Sequence, residues 1–201
     1  MSWIYWLGRL LSASILKCFF DVEVVNAEKR IEDGGAIIAV NHASFLDPPL
    51  VGISYANPLH FLARSTLFEG LGASILPKCN AVPVDRDNAD LKSMKTILRT
   101  LKQGHRVVMF PEGTRSEDGE LQEGKAGVGM LIAKSKVRVQ PVRILNSHKA
   151  LPRKGGIGWG QAMKVVIGDP MVLTPEELKG KSREAYQAIS DRVMGEIAKL
   201  G

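Results

Sequence analysis

Apolar positions recur along this chain with two different periods. Short apolar runs, most of them holding β-branched residues, at 22–25, 36–40, 59–63, 82–84, 106–110, 137–144 and 162–167, predict strands. Between them, helical spacing predicts helices over 49–56, 66–76, 91–103, 126–135 and 182–199. In 91–103, Leu91, Met94, Ile97, Leu98 and Leu101 share one face, while Lys92, Lys95, Arg99 and Lys102 project elsewhere and Gly104 closes the helix. The last helix presents Ala185, Ile189, Val193 and Ile197. Asp33-Gly34-Gly35 reads as a turn, Asn57-Pro58 as a helix end, and Thr174-Pro175-Glu176-Glu177 as a capping box with proline in the first turn. Strands alternating with helices predict an α/β fold: a single domain with a mixed, mostly parallel sheet flanked by helices.

Residues 3–20 form the most apolar stretch, but Arg9 and Lys17 interrupt it, leaving no unbroken span of about 20 residues. No basic start and no small-x-small cleavage site marks a signal peptide. Trp3, Tyr5 and Trp6 suit a bilayer interface, and Arg9 and Lys17 have the reach to snorkel to headgroups. The reading is a membrane-interfacial helix over 1–20; the competing one is a first helix packed on the core of the 21–201 domain.

Composition narrows the partners. The 201 residues carry a net charge of +6, which suits an anionic partner such as a phosphorylated ligand, nucleic acid or an anionic membrane. Aromatics are few and no basic block interleaves with them, so nucleic acid is not expected. Cys18 and Cys79 form no C-x-x-C pair, which indicates a reducing compartment. The histidines, His42, His60, His105 and His148, are too dispersed to suggest a metal site.

The candidate chemistry sits at strand ends. The run 36–40 stops at Asn41-His42, and Asp47-Pro48-Pro49 follows. Five residues turn a regular helix through about 500°, so His42 and Asp47 cannot share a helix face. A residue before proline is biased away from helical geometry, which places the pair on a turn able to fold the carboxylate onto the imidazole. Such a carboxylate fixes the tautomer and leaves the other ring nitrogen as a base. Equally, Asp47 is a good helix N-cap and His42 an ordinary turn residue. Strand 106–110 ends in Phe110-Pro111-Glu112-Gly113-Thr114-Arg115-Ser116, which offers a glycine for close backbone approach, hydroxyls and a bidentate cation. The alternative there is a solvated turn with Arg115 paired to Glu112.

Asn-His-x-x-x-x-Asp followed by Phe-Pro-Glu-Gly-Thr-Arg resembles the 1-acylglycerol-3-phosphate acyltransferases, the PlsC-like lysophosphatidic acid acyltransferases. The resemblance covers roughly 22–168 and continues in Phe61-Leu62-Ala63-Arg64, Val82-Pro83-Val84-Asp85-Arg86, Lys125-Ala126-Gly127 and Val139-Gln140-Pro141-Val142. Two departures stand out: Arg64 where the family usually has lysine, and no proline near Glu69-Gly70-Leu71. What the resemblance implies is transfer of a fatty acyl group from acyl-CoA or acyl carrier protein to a lysophospholipid hydroxyl at the cytoplasmic face of a membrane. His42 would be the base and Asp47 its orienting partner. Arg64, Arg86, Glu112, Gly113, Thr114 and Arg115 would bind the acceptor phosphate. Oxyanion donors are left open between the Pro111–Gly113 amides and Asn41. No metal or cofactor is implied, because the thioester is a substrate. Acylation of another lysolipid, such as a lyso-aminolipid, and non-catalytic binding of anionic lipid are the alternatives.

Overall fold

The structure is a computed structural model that describes residues 2–84, 91–152 and 155–201, with only the backbone of Leu91. Helix α1 (Trp3–Phe19) leads into β1 (Asp21–Val25) and β2 (Ala36–Val40). Then come α2 (Asp47–Ser54), β3 (His60–Arg64), a broken segment containing α3 (Leu71–Ile75), β4 (Ala81–Val84), α4 (Leu91–Lys102) and β5 (Arg106–Met109). The chain ends with α5 (Ala126–Ser135), β6 (Arg138–Leu145), α6 (Ser147–Ala150), β7 (Ala162–Ile167) and α7 (Arg183–Ala198).

The strands form one sheet in the order β1-β7-β6-β2-β5-β3-β4. All neighbours are parallel except β6 and β7, as expected for a mixed sheet. Strand β2 is fully buried, with β5 on one side and β6 on the other. Its alternate residues feed two cores. Ile37 and Ala39 pack with Ile97, Ile132 and Val193, from α4, α5 and α7. Ile38 and Val40 pack with Leu16, Leu50 and Val51, from α1 and α2. A polar strut spans the sheet's end: the buried Gln140 amide accepts from Ile31 N–H and donates to Gly168 O.

Local chemistry explains the differences from the expected elements. Helix α2 starts at Asp47 rather than 49, because Leu46 is already helical. It stops at Ser54 because arginines take its last carbonyls: Arg9 donates to Gly52 O, Ile53 O and Tyr55 O, and Arg30 to Ser54 O. The single helix expected over 66–76 is instead two 3₁₀ turns around α3. Gly70 sits at φ +54° and Pro77 cannot extend the helix. The Thr174–Glu177 box forms, with Thr174 N–H donating to the Glu177 carboxylate at 2.7 Å, but only turns follow it. Ser182 caps α7 instead, accepting from Ala185 N–H at 3.2 Å.

Helix α1 has two faces. Tyr5 and Leu16 are buried, whereas Trp3, Trp6, Leu7, Leu10, Leu11, Ile15 and Phe19 are exposed. Two interfacial assignments change. The Tyr5 hydroxyl faces inward and accepts from Leu59 N–H at 3.0 Å, and Arg9 is engaged with the end of α2 rather than reaching outward. Among the described residues no helix is long and apolar enough to cross a membrane.

Helices α5 and α7 meet through Gly129, where an added Cβ would lie 1.8 Å from Tyr186 O. Gly129→Ala is therefore expected to force the helices apart and cost about 1–3 kcal/mol. Urea unfolding should show a lower midpoint at an unchanged m-value.

Candidate active site

The carboxyl ends of β2, β5, β3 and β4 share one edge of the sheet, where open α/β sheets place their ligands. Asn41 pins the first turn there. Its side chain donates to Ile144 O and accepts from Ile144 N–H at 2.9 and 2.7 Å, so it extends the β2–β6 ladder, which commits one of its two N–H donors. His42 comes next. Its Nδ1 is 2.8 Å from Asp47 Oδ2, which also accepts from Ala43 N–H and Ser44 N–H, each at 2.7 Å. An oxygen already accepting two amides takes the imidazole proton as a third, which puts hydrogen on Nδ1 and leaves Nε2 as the basic nitrogen. Asp47 does this from the first turn of α2, where the helix dipole favours negative charge.

The turn after β5 closes over the one after β2. Phe110 stacks on the His42 ring with centroids 4.0 Å apart and planes 19° apart. Glu112 Oε1 accepts from His42 N–H at 3.0 Å, and Ser116 N–H donates to His42 O at 2.8 Å. Gly113 adopts φ +72° in the tight turn, its N–H donating to Phe110 O. Glu112 differs from the other predicted anion ligands. Its side chain is buried and braces the backbone of His42. Burial, aided by the Asp47 charge and opposed by the amides of His42 and Gln122, pushes its pKa up to about 7.

His42, Glu112, Gly113 and Thr114 line one cavity of about 380 Å³, together with Leu62, Val84, Phe110 and Lys125. Lys125, at the N-cap of α5, is a cation that motif reading left among the flanking blocks. It is drawn in because its N–H donates to Pro111 O at 2.8 Å. Arg115 lies against Phe45, and Arg64 is exposed at the end of β3 on the same edge. Neither lines the cavity, and Arg86 lies outside the described residues. A separate apolar cleft of about 230 Å³ begins beside Pro48 and Pro49 and runs between α1 and α2, past Gly8, Gly52, Ile53 and Phe61. Among the described residues no cluster of side chains could hold a metal ion.

Glu112 gives a titration with a definite sign. Its folded pKa is raised, so between about 4.5 and about 7 the folded state binds more protons than the unfolded state, and stability falls as pH rises. His60, held down to about 4 by burial and by the charges of His105 and Arg106, acts in the opposite sense. The difference between wild type and Glu112→Gln isolates the first effect. Relative to wild type, the glutamine variant should gain on the order of 2 kcal/mol between pH 5 and pH 7.5, measured by urea unfolding at both values.

Comparison with known proteins agrees with this geometry. A family model described as Acyltransferase matches residues 21–145. A 1-acyl-sn-glycerol-3-phosphate acyltransferase of Bacillus subtilis (strain 168) is 34% identical over 153 residues, covering 75% of this chain and 73% of that protein. The Helicobacter pylori protein of the same name is 30% identical, covering 68% of this chain and 60% of that one. A chloroplastic Arabidopsis thaliana relative of the same name is matched over 83% of this chain but only 48% of its own length. The crystal structure of the 1-acyl-sn-glycerophosphate acyltransferase PlsC from Thermotoga maritima superimposes with a TM-score of 0.75 at 25% identity, covering 98% of this chain and 78% of that one. With more than half of its length matched by the family model and the His42–Asp47 pair held at the sheet edge, the chain belongs to the acyltransferase family.

Proposed function

We propose that the protein transfers a fatty acyl group from an acyl thioester to the sn-2 hydroxyl of 1-acylglycerol 3-phosphate, giving phosphatidic acid. The observation that carries this reading is the His42–Asp47 contact at 2.8 Å, set in a turn hydrogen-bonded to the Phe110–Ser116 loop. The names of the relatives point the same way.

An alcohol is a poor nucleophile at neutral pH, so its proton must leave as it attacks. His42 Nε2 takes that proton while the oxygen adds to the thioester carbonyl. The tetrahedral oxyanion then collapses: the carbon–sulfur bond breaks, and the imidazolium returns the proton to the leaving thiolate. Asp47 holds the ring and stabilises its charged form. The Thr114 hydroxyl and the Lys125 ammonium, lining the same cavity, supply donors and positive charge for the developing oxyanion or for the acceptor phosphate. Arg115 and Arg64 add cations on the same edge. The apolar cleft beside Pro48 suits a fatty acyl chain. No step needs a cofactor, and both acyl-CoA and acyl carrier protein are donors to be tried.

Purified protein given lysophosphatidate and each donor should form phosphatidic acid, identified by mass spectrometry. His42→Ala should lower kcat by about 10²- to 10⁴-fold with a smaller effect on acceptor KM. If neither donor acylates any lysophospholipid, the reading is wrong.

Seating at the membrane surface belongs to the same proposal. Exposing acyl tails to water costs about 0.8 kcal/mol per CH₂, and the outward row of α1 gives the enzyme an apolar face to rest in the interface. Replacing the exposed Trp3, Leu10 and Leu11 with serine should abolish cosedimentation with anionic vesicles at little change in Tm. Retained vesicle binding would remove α1 as the anchor.

A further inference from the structure

Helices α1 and α2 share a core through Leu16, Leu50 and Val51, but they do not pack along their whole length. The apolar cleft beside Pro48 and Pro49 separates them, and its walls include Gly8, Ser12 and Gly52, which bring little or no side chain to fill it. Arg9 spans from one helix to the other. Its Nε donates to Gly52 O at 3.2 Å, and its Nη2 donates to Ile53 O at 3.4 Å and to Tyr55 O at 2.7 Å. We infer that Arg9 is a positioning residue for acyl transfer, holding the carboxyl end of α2 against α1 so that Asp47, at the other end of α2, meets His42. This rests on the reading of His42 as the base.

Three features support the assignment. The first is the shortness of α2. It has eight residues, its last carbonyls have no partner within the helix, and so short a helix is marginal without outside contacts. Arg9 supplies those contacts from α1, and Arg30 takes Ser54 O at 2.6 Å from the segment between β1 and β2. The second is stiffness. Helix α2 is a rod about 12 Å long, so a tilt at its carboxyl end is felt at its first turn. There Asp47 Oδ2 must stay 2.8 Å from His42 Nδ1. The third is the kind of cation. The helix dipole favours positive charge at the carboxyl end as it favours Asp47 at the amino end. A planar fork reaches three carbonyls at once, which the compact ammonium of lysine does not. Trp6, whose ring centroid lies 5.6 Å from Arg9 Cζ, limits the freedom of that fork.

The test compares Arg9→Met, which keeps an unbranched stem but loses the charge and the donors, with Arg9→Lys, which keeps the charge but not the fork. The Nδ1 proton of His42, assigned in ¹⁵N-histidine-labelled protein by its loss in His42→Gln, reads the His42–Asp47 contact by NMR without turnover. It should be protected from exchange in the wild type, lost in Arg9→Met and weakened in Arg9→Lys. On a short-chain, soluble lysophosphatidate, Arg9→Met should lower kcat roughly ten- to hundred-fold with less change in acceptor KM. In an Asp47→Asn background it should add little, because both changes act on one contact. Gly129→Ala, a destabilising change where α5 meets α7, should leave the proton and kcat as they are in the wild type. A retained proton or an unchanged kcat in Arg9→Met would overturn the inference. So would an undiminished loss in the Asp47→Asn background, an equal loss in Gly129→Ala, or a wild type without a protected proton. Should Arg9→Met fail to fold, Arg9→Lys decides on the same readouts, and wild-type behaviour overturns the inference. A proton lost in Arg9→Met from a protein that acylates no lysolipid would leave Arg9 as the support of the His42–Asp47 pair and reject the proposed reaction.

Discussion

The turn that follows β2 hangs on one carboxylate oxygen. Asp47 Oδ2 accepts from the His42 ring and from two successive backbone amides, on a side chain with no solvent exposure. Removing an ion from water costs several kcal/mol even after the protein relaxes, so a buried carboxylate persists only where donors replace the lost hydration. Here the replacement donors are the turn itself. The chain must curl from His42 back to Asp47 for the amides of Ala43 and Ser44 to point at the oxygen, and that curl delivers the imidazole to it. One interaction therefore sets the shape of the turn, the orientation of the ring and the start of α2.

The sheet supplies the second half of the site without any long reach. Strands β2 and β5 run parallel and in register, so the residues that follow them emerge side by side. The backbone of His42 makes two of the contacts between the turns: its carbonyl accepts from Ser116 N–H, and its N–H donates to the Glu112 carboxylate. Glu112 is the costly member, a carboxyl pushed up to about 7 by burial. Groups with displaced pKa values gather at functional sites because the local geometry serves the site rather than stability.

On the other side of the sheet, α1 answers to two environments. Its inward residues complete the core with α2, and its outward row leaves tryptophans and leucines in contact with solvent. Exposed apolar rows of this extent mark interaction surfaces. Arg9 shows how firmly the helix is tied down. Its guanidinium takes three carbonyls at the end of α2, the helix that carries Asp47 at its start. Helix α1 and the His42–Asp47 turn are thus joined through one short, capped helix.

Much of this was legible in the sequence, because periodicity and strand-end punctuation are local properties. The buried strands, the core faces of α4 and α7, and the two polar turns follow from spacing alone. The mixed sheet was anticipated, but which strands pair was not. Tyr5 facing inward and Arg9 turned onto α2 were not legible for one shared reason: each depends on partners dozens of residues away. The segment around Gly70 breaks for a local reason, a glycine at positive φ and a proline that cannot extend the helix. Spacing also left His42 and Asp47 open between a dyad and a plain helix cap. The tertiary structure made Asp47 both an orienting carboxylate and a first-turn helix residue, because one oxygen can accept the imidazole and the turn amides together. Lys125 joined the cavity, and Glu112 turned inward, only because the β5 turn folds over the β2 turn. The sequence by itself determined which residues are available for chemistry; the long-range contacts decided which of them meet.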